Sequence, residues 1–374
     1  MGGNSGRVAL VTYSDPDVGQ EASALAEAAG YRVETVVTLK RLPHGRYGIG
    51  EGKANLLKEL REQGRFDSIV VDDKINAAEN YNLSKHCGCN VIDREKLVLE
   101  IFLKRANSIE AKLQVRMAEL MYELPRTRET VSAQTAGEQP GMFGYGSYEV
   151  ERHYRSIKNM IDFTRKKLKK IEKRRELFRA SRSRADFPMV SLAGYTSAGK
   201  TTLFNRLTDS DQPVAPSVFT TLSTTTRRAE MDGVSVLLSD TVGFISRLPH
   251  YMIDAFKATL EELSYADVVL LVVDVSGSPE LLTSKYDACM GSLAQLGVPA
   301  DKILPVLNKA DRVERDEAVR RASLLGIAAP VIVSAKQGTG VQELTGTVRD
   351  RILGKAQKRV TEVVPQGPAG HPSA

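Results

Sequence analysis

Residues 194–201 read Gly-Tyr-Thr-Ser-Ala-Gly-Lys-Thr and fit the pattern G-x-x-x-x-G-K-[ST]. The run follows an apolar stretch, Met189 to Ala193, and precedes a helical pattern that begins at Lys200. In this strand–loop–helix context, backbone N–H groups point at phosphate oxygens and the helix N-terminus adds a favourable dipole. Lys200 is then expected against the β- and γ-phosphates, and the Thr201 hydroxyl against Mg²⁺. The predicted phosphate loop is lined by Gly194, Thr196, Ser197, Ala198, Gly199, Lys200, Thr201 and Thr202.

A second motif, Asn308-Lys-Ala-Asp311, follows the apolar strand pattern of residues 303–307. Its side chains therefore fall at the carboxyl end of a strand, where open α/β sheets bind ligands. Asp311 can accept hydrogen bonds from the N1–H and the exocyclic amine of guanine, which adenine does not offer in that arrangement. Asn308 and Lys309 are expected to hold the base and the phosphate loop. An ordinary turn after a strand is the alternative, and the phosphate loop upstream argues against it.

Two further motifs complete a nucleotide pocket. The strand pattern at 236–238 runs into Asp240-Thr-Val-Gly243, where Asp240 can hold Mg²⁺ through water and the Gly243 N–H can contact a γ-phosphate. A later strand pattern ends in Ser-Ala-Lys, which resembles the loop that contacts the guanine edge; its residues are Ser334, Ala335 and Lys336. The order and placement of the four motifs match translation-factor-type GTPases, which bind GTP and GDP and release phosphate from GTP.

Phe244 stands where many signalling GTPases carry the Gln that orients the attacking water. An apolar side chain cannot polarise water, so we expect slow intrinsic hydrolysis that a large partner stimulates. Alternatively, Phe244 only packs and another residue supplies the water contact.

A first switch loop is expected within residues 219–228, which are rich in Thr and Arg. A Thr hydroxyl there would complete the Mg²⁺ shell only when the γ-phosphate is present. We assign that role to Thr221, with Thr220 as the second choice; an exposed β-edge is the other interpretation. The predicted catalytic residues are Lys200, Thr221 and Gly243, and the predicted metal ligands are Thr201, Thr221 and Asp240.

The composition is that of a globular chain. The 374 residues are 42% hydrophobic and 26% charged, which allows two or three domains with sizeable cores. The sequence lacks an apolar run of membrane-spanning length, and its first residues do not resemble a signal peptide. Three cysteines, at 87, 89 and 289, fit neither a zinc site nor a disulfide framework. We therefore expect a reduced, cytoplasmic protein without stable membrane insertion.

Positive charge is concentrated between Glu151 and Arg184, which contain 14 Lys/Arg against 4 Asp/Glu. This stretch lacks Pro and Gly and predicts a helix with a heptad seam formed by Tyr154, Ile157, Ile161, Thr164, Leu168, Ile171 and Phe178. An earlier helical pattern over 96–124 offers a matching face: Ile101, Arg105, Ile109, Leu113, Met117, Leu120 and Leu124. Residues 125–148 would form a flexible connection. The hairpin's basic face favours RNA contact over a merely solvated coiled-coil face.

The fold class is α/β: a P-loop GTPase domain preceded by a small parallel α/β domain and an antiparallel helical hairpin. The predicted boundaries are 1–95 for the α/β domain, 96–185 for the hairpin, 188–356 for the GTPase domain and 357–374 for a disordered tail. In the first domain, Tyr47-Gly-Ile-Gly-Glu-Gly-Lys53 could hold a phosphate, but it lacks Walker spacing and a clear preceding strand. A plain helix-start turn is favoured there.

Several stretches resemble the HflX GTPases over nearly the whole chain, about 8–356. They are Val91–Arg94, Arg105–Val115, Glu123–Arg126, Gly194–Asn205, Asp240–His250 and Ala255–Glu262. Three positions depart from the family pattern: Ser197 replaces Asn, Ser223-Thr224 replaces Asp-Pro, and the hairpin tip at 144–149 matches the family's Gly-x-Gly-Glu only loosely. The last departure leaves open which contact the tip makes.

The resemblance implies binding to the large ribosomal subunit and its RNA, with ribosome splitting or rescue as the role. We expect a monomer that does not bind DNA and that associates in part with ribosomes or a membrane surface. Two alternatives remain: a GTP-gated protein- or RNA-binding switch that does not act on ribosomes, and an ATP-dependent RNA remodeller with a second nucleotide site near Gly50–Lys53.

Overall fold

The computed structural model describes residues 6–41, 45–135, 143–183, 187–210, 219 and 225–363. These residues form two compact units. The first unit contains the described residues up to Ser181, together with Phe219 and Ile245–Leu260. The second unit contains the described residues of Arg182–Pro213, Thr224–Phe244 and Glu261–Ala374. Thr220 and Thr221 lie outside the described residues.

The first unit begins with a four-stranded parallel sheet in the order β2-β1-β3-β4. Its elements are β1 (Arg7–Tyr13), α1 (Pro16–Ala28), β2 (Arg32–Leu39), α2 (Glu51–Glu62), β3 (Ser68–Val71), α3 (Ala77–Cys87) and β4 (Asn90–Asp93). The central strands are apolar and buried, as expected for parallel strands covered by crossover helices. The predicted parallel α/β domain is confirmed.

Three helices follow: α4 (Arg94–Arg105), α5 (Ile109–Thr135) and α6 (Phe143–Ser183). The prediction of one continuous helix over 96–124 is wrong, because the chain leaves the helix at Ala106 and restarts after Ser108. The Ser108 hydroxyl accepts a hydrogen bond from the Ala111 N–H, which caps the new helix. The side chain of Ile109 is 78% exposed, so it does not contribute to the predicted apolar face.

The seam of α6 follows the predicted heptad. Ile157, Ile161 and Thr164 are buried, while Tyr154, Leu168 and Ile171 are half-buried; the side chain of Phe178 lies outside the described residues. Leu120 packs in one cluster with Ile157 and Ile161. Most of the predicted flexible connection is helical, because α5 continues through Pro125 to Thr135 and α6 already begins at Phe143; residues 136–142 lie outside the described residues. Pro125 removes one backbone donor but does not end the helix.

The second unit contains a six-stranded sheet in the order β10-β9-β8-β5-β7-β6, in which β6 is antiparallel to β7 and the other pairs are parallel. The strands are β5 (Met189–Gly194), β6 (Thr225–Met231), β7 (Val234–Asp240), β8 (Val268–Asp274), β9 (Ile303–Asn308) and β10 (Val331–Ile332). Its helices are α7 (Lys200–Thr208), α9 (Pro279–Gln295), α10 (Arg315–Leu324) and α11 (Val341–Val363). Helix α8 (His250–Tyr265) begins in the first unit and ends in the second.

Helix α11 extends to Val363, into the predicted tail from 357, and residues 364–374 lie outside the described residues. Within the described ranges, no helix is both long and apolar enough to cross a bilayer. The same ranges hold no group of three His, Cys, Asp or Glu side chains placed to bind a metal ion.

Candidate nucleotide site

Four neighbouring parallel strands of the second unit end at one edge of the sheet. β5 ends at Gly194, β7 at Asp240, β8 at Asp274 and β9 at Asn308. In such sheets the carboxyl edge is where ligands bind. Residues that are far apart in the sequence therefore meet at one place.

Two glycines of the phosphate loop occupy positions that no larger residue fits. A Cβ on Gly194 would lie 2.2 Å from the carbonyl oxygen of Val272, and one on Gly199 would lie 2.3 Å from the Asn308 amide nitrogen. Both have positive φ angles, 144° and 95°, which favour glycine. Ser197 also adopts a left-handed conformation, with φ 62°. The loop thus packs closely against β8 and the Asn308 side chain.

Lys200 is buried beneath this loop. Its Nζ donates to the carbonyl oxygens of Gly194 at 3.0 Å and Tyr195 at 2.8 Å. Burial lowers the pKa of Lys200, and the nearby carboxylate of Asp240 opposes that effect. A buried ammonium that donates to neutral carbonyls is stabilised further by an anionic ligand.

Thr201 and Asp240 meet next to Lys200. The Thr201 hydroxyl donates to the Asp240 carboxylate at 2.9 Å, and both residues are buried. Gly243 also lies here, since a Cβ at that position would be 2.9 Å from Lys200 Nζ. Thr202 is half-buried in the first turn of α7. The predicted phosphate and metal residues that the structure describes are therefore brought together.

Asn308 links the phosphate loop to the Ser-Ala-Lys loop. Its amide nitrogen donates to the Ala198 carbonyl at 2.8 Å, and its amide oxygen accepts from the Ala335 N–H at 2.9 Å. Because both ends of the buried amide are used, the side chain fixes the distance between the two loops.

Asp311 is exposed and is held by its neighbour Ser334. The Ser334 hydroxyl donates to one carboxylate oxygen at 2.6 Å and thereby lowers the pKa of Asp311. Ser334 Oγ also accepts from the Gln337 N–H, and Lys336 is exposed on the same loop. An ionised, oriented carboxylate is the acceptor that a guanine edge requires.

Two residues of this site were not identified from the sequence motifs. Asp274 accepts from Lys309 Nζ at 2.5 Å and from the Ser276 N–H and hydroxyl. Burial alone raises the pKa of Asp274, but the bonds from Lys309 and Ser276 outweigh it and the pKa is lowered. An acidic residue at the end of the apolar run 268–273 was the available signal.

Arg206 is the other missed residue. From α7 it donates to the carbonyl oxygens of Ala335 at 3.3 Å and Lys336 at 2.7 Å, so it supports the loop beside Asp311. No local pattern distinguishes it from an ordinary helix-surface arginine.

The backbone of Phe244 joins the phosphate loop. Its N–H donates to the Gly194 carbonyl at 3.0 Å, and its carbonyl accepts from the Thr196 N–H at 2.7 Å. The side chain is buried. Phe244 thus contributes backbone contacts and packing, and offers no polar side-chain atom for a water.

The glycine loop of the first unit is arranged differently. Tyr47 and Ile49 are part of the apolar core around Phe66. Gly48 between them has a positive φ, and a Cβ there would lie 2.9 Å from Ile75. Gly50 and Gly52 have no heavy atom within 4 Å of a built Cβ. Packing accounts for the first glycine of this loop.

A six-stranded sheet with a phosphate loop after β5, Asp-x-x-Gly after β7 and Asn-Lys-x-Asp after β9 defines the GTP-binding class of P-loop domains. Three family models match the chain in succession. They are described as GTP-binding GTPase N-terminal, over residues 17–103, GTP-binding GTPase Middle Region, over 105–182, and 50S ribosome-binding GTPase, over 189–309.

Full-length relatives agree with these matches. The chain is 42% identical over 331 residues to GTPase HflX of Thermofilum pendens, covering 88% of this chain and 78% of that protein. It is 35% identical over 359 residues to GTPase HflX of Escherichia coli, covering 93% and 82%. The chain belongs to the HflX family of GTPases, which confirms the resemblance drawn from its motifs.

Two solved structures share the fold. A crystal structure of SsGBP in complex with GDP is 27% identical, covers 94% of this chain and 99% of that chain, and has a TM-score of 0.55. A GTP-binding protein from the hyperthermophilic archaeon Sulfolobus solfataricus in complex with GDP is 26% identical, with the same coverage and a TM-score of 0.51.

Proposed function

We propose that this HflX-family GTPase binds GTP and GDP at the 194–201 loop with Mg²⁺, hydrolyses GTP slowly by itself, and acts on ribosomes by splitting or rescuing them. The observation that carries the nucleotide part is the convergence of Lys200, Asp240, Asn308 and Asp311 around one loop. The family's description as 50S ribosome-binding supports the choice of the large subunit as partner.

In this proposal the phosphates lie along the 194–201 loop. Lys200 contacts the β- and γ-phosphates, and the loop N–H groups and the start of α7 supply further positive potential. Asp311 binds the guanine edge, while Ser334, Ala335 and Lys336 form the adjoining wall. Asn308 and Lys309 hold the phosphate-binding and guanine-binding parts of the pocket together through their bonds to Ala198 and Asp274.

The donor set fits Mg²⁺. A hydroxyl and a carboxylate, those of Thr201 and Asp240, are the oxygen ligands that this ion prefers, and they lie 2.9 Å apart. Thr221 is proposed as a further ligand in the GTP state. Bound Mg²⁺ would neutralise charge on the β- and γ-phosphates. Lys200, Gly243 and Thr221 are the residues proposed to contact the transferred phosphoryl group.

Slow intrinsic hydrolysis follows from Phe244. Its side chain is apolar and buried, so it does not orient a water molecule. Without such a group, the reaction relies on positioning and on electrostatic stabilisation of the phosphoryl group. A ribosome-bound state that supplies or orients the missing polar group would accelerate hydrolysis.

The outer face of α6 supports contact with ribosomal RNA. Its exposed basic residues are Arg152, Arg155, Lys158, Arg165, Lys166, Lys167, Lys169, Lys170, Lys173 and Arg174. Arg155 pairs with Glu151 and Arg165 with Asp162 on the same helix. Phe163, 59% exposed, lies under the ammonium group of Lys167 at 4.4 Å. Clustered cations with an exposed aromatic ring match a phosphate backbone with unstacked bases.

Co-sedimentation with purified large subunits tests this function. We expect more protein in the ribosomal pellet with a non-hydrolysable GTP analogue than with GDP, and a steep loss of binding as salt increases. The double variant Lys166→Glu with Lys170→Glu should weaken binding about tenfold, since two phosphate contacts become repulsive. Arg315→Glu with Arg320→Glu on α10 is the matched control and should bind normally.

Unchanged sedimentation of the α6 variant would favour the alternative of a protein-binding switch. In the same samples, conversion of intact ribosomes to subunits on a sucrose gradient measures splitting directly. Binding without conversion would limit the function to association.

A further inference from the structure

The chain immediately after Asp-x-x-Gly is bound by the N-terminal α/β domain within the first unit. Arg94, at the start of α4, is only 4% exposed and donates to the Ser246 carbonyl at 3.1 Å and the Ser246 hydroxyl at 3.3 Å. The same guanidinium pairs with Asp72 and Glu21. The Ser246 hydroxyl in turn donates to Glu21 at 2.8 Å. Ser246 is thus held inside a network of buried charges.

Arg247 extends this network from the other side. Its guanidinium donates to the Asp72 carbonyl and carboxylate, both at 3.0 Å, and pairs with Asp73 at 3.5 Å. It also lies over the ring of Tyr13. Asp72 therefore binds two arginines, one from its own domain and one from the segment that follows Gly243.

An aromatic cluster lies beside the two predicted switch regions. Phe102 of α4 makes edge-to-face contacts with Phe219 and with Phe256, at centroid distances of 4.7 and 4.8 Å. All three rings are buried. Phe219 precedes the threonines of the predicted first switch, and Phe256 follows the second. Phe102 of α4 therefore contacts one residue of the predicted first switch and one of the helix that follows the second switch.

These contacts join directly to the nucleotide pocket through the chain itself. Ile245 follows Phe244, whose backbone pairs with Gly194 and Thr196. Gly243, one residue earlier, lies against Lys200. Ser246 and Arg247 are thus only three and four residues from Gly243 along the chain.

We infer that Arg247 and Phe102 are positioning residues of the GTPase reaction: Arg247 ties the segment after Gly243 to Asp72, and Phe102 holds Phe219 at the start of the predicted first switch. The inference rests on the proposed nucleotide pocket. Because these contacts already restrain Phe219 and the segment after Gly243, less conformational entropy is lost when GTP binds. GDP has no γ-phosphate and does not benefit. The contacts therefore raise the affinity for GTP relative to GDP.

Equilibrium titration of the full chain with GDP and with a non-hydrolysable GTP analogue tests this inference. Arg247→Met removes one tie and leaves the Arg94–Asp72 pair intact, while Phe102→Leu removes both ring contacts. Each variant should bind the GTP analogue about fivefold to tenfold more weakly, with the GDP affinity unchanged. Arg7→Met, which breaks the pair with Asp67, and Phe66→Leu, in the core of the same domain, should keep the wild-type ratio.

A GTP-to-GDP affinity ratio that stays at the wild-type value, or that rises, would overturn the inference. If wild-type protein binds neither nucleotide, the proposed pocket has failed instead. Should Phe102→Leu not fold, Arg247→Met decides alone, because the Arg247 side chain is 36% exposed and its loss leaves the core packed.

Discussion

The loop at 194–201 and the loop at 47–53 each combine glycines with a lysine at the start of a helix. In the first loop, Gly194 and Gly199 are pressed against Val272 and Asn308. In the second, Gly48 is pressed against Ile75, while Gly50 and Gly52 face open space. Gly194 and Gly199 of the first loop are therefore both closely packed, whereas in the second loop only Gly48 among Gly48, Gly50 and Gly52 is.

The surroundings differ more than the loops do. Lys200 lies with Asp240 and Gly243 at the ends of parallel strands, and Asn308 crosses from β9 to the loop. The 47–53 loop follows a turn, and its apolar residues Tyr47 and Ile49 belong to the core of the α/β domain. Glycines at a helix start provide free N–H groups, but a specific nucleotide site also needs polar side chains that converge from other strands.

Removal of the Lys200 side chain is expected to have the largest effect on nucleotide binding. Lys200→Ala should weaken binding of GTP and GDP on the order of 100-fold, because a buried cation is lost from the phosphates. Lys53→Ala should leave both affinities unchanged. Titration with a fluorescent guanine nucleotide measures both variants, and equal losses would mean that the two loops share the function.

Base recognition gives the next largest effect. Asp311→Asn should reduce GTP affinity about 100-fold and shift the preference toward xanthine nucleotides, because the amide presents a donor to the guanine N1–H. Calorimetric titration with GTP, XTP and ATP measures the change. ATP binding that persists in this variant would require another pocket, and the 47–53 loop would then be the first candidate.

The smallest effect concerns the glycines themselves. Gly199→Ala should lower the Tm, since the methyl group would meet Asn308 and the φ of 95° is unfavourable for alanine. Gly52→Ala, in the first turn of α2, should stabilise the protein by about 0.5 kcal/mol. Thermal unfolding without nucleotide compares the two, and a destabilising Gly52→Ala would contradict the open surroundings of that residue.

Local periodicity predicted a helix well where burial of one apolar face determined its residue pattern. The described heptad positions of α6 are buried or half-buried as expected, because an amphipathic helix has one apolar stripe to cover. Periodicity did not reveal the break between α4 and α5, since Ala106 and Ser108 are compatible with a helix and only the cap at Ser108 marks the restart. The pattern predicted a helix end at Pro125, but α5 continues to Thr135. Beyond the proline, Arg126 donates to the Ile75 carbonyl and Glu129 accepts from the Ala77 N–H.

The nucleotide pocket could be predicted from the sequence because it is built from short motifs that each follow a strand end, and parallel strands bring those ends together. The residues that support the pocket could not be predicted in this way. Arg206 acts on carbonyls 129 and 130 residues away, and Arg94 binds Ser246 at a separation of 152 residues. A charged side chain has no sequence signature for a distant partner, so only the folded chain determines which carboxylate or carbonyl it meets. The chemistry of the site was thus set by the sequence, and the attachment of the switch segments to the α/β domain was decided by tertiary packing.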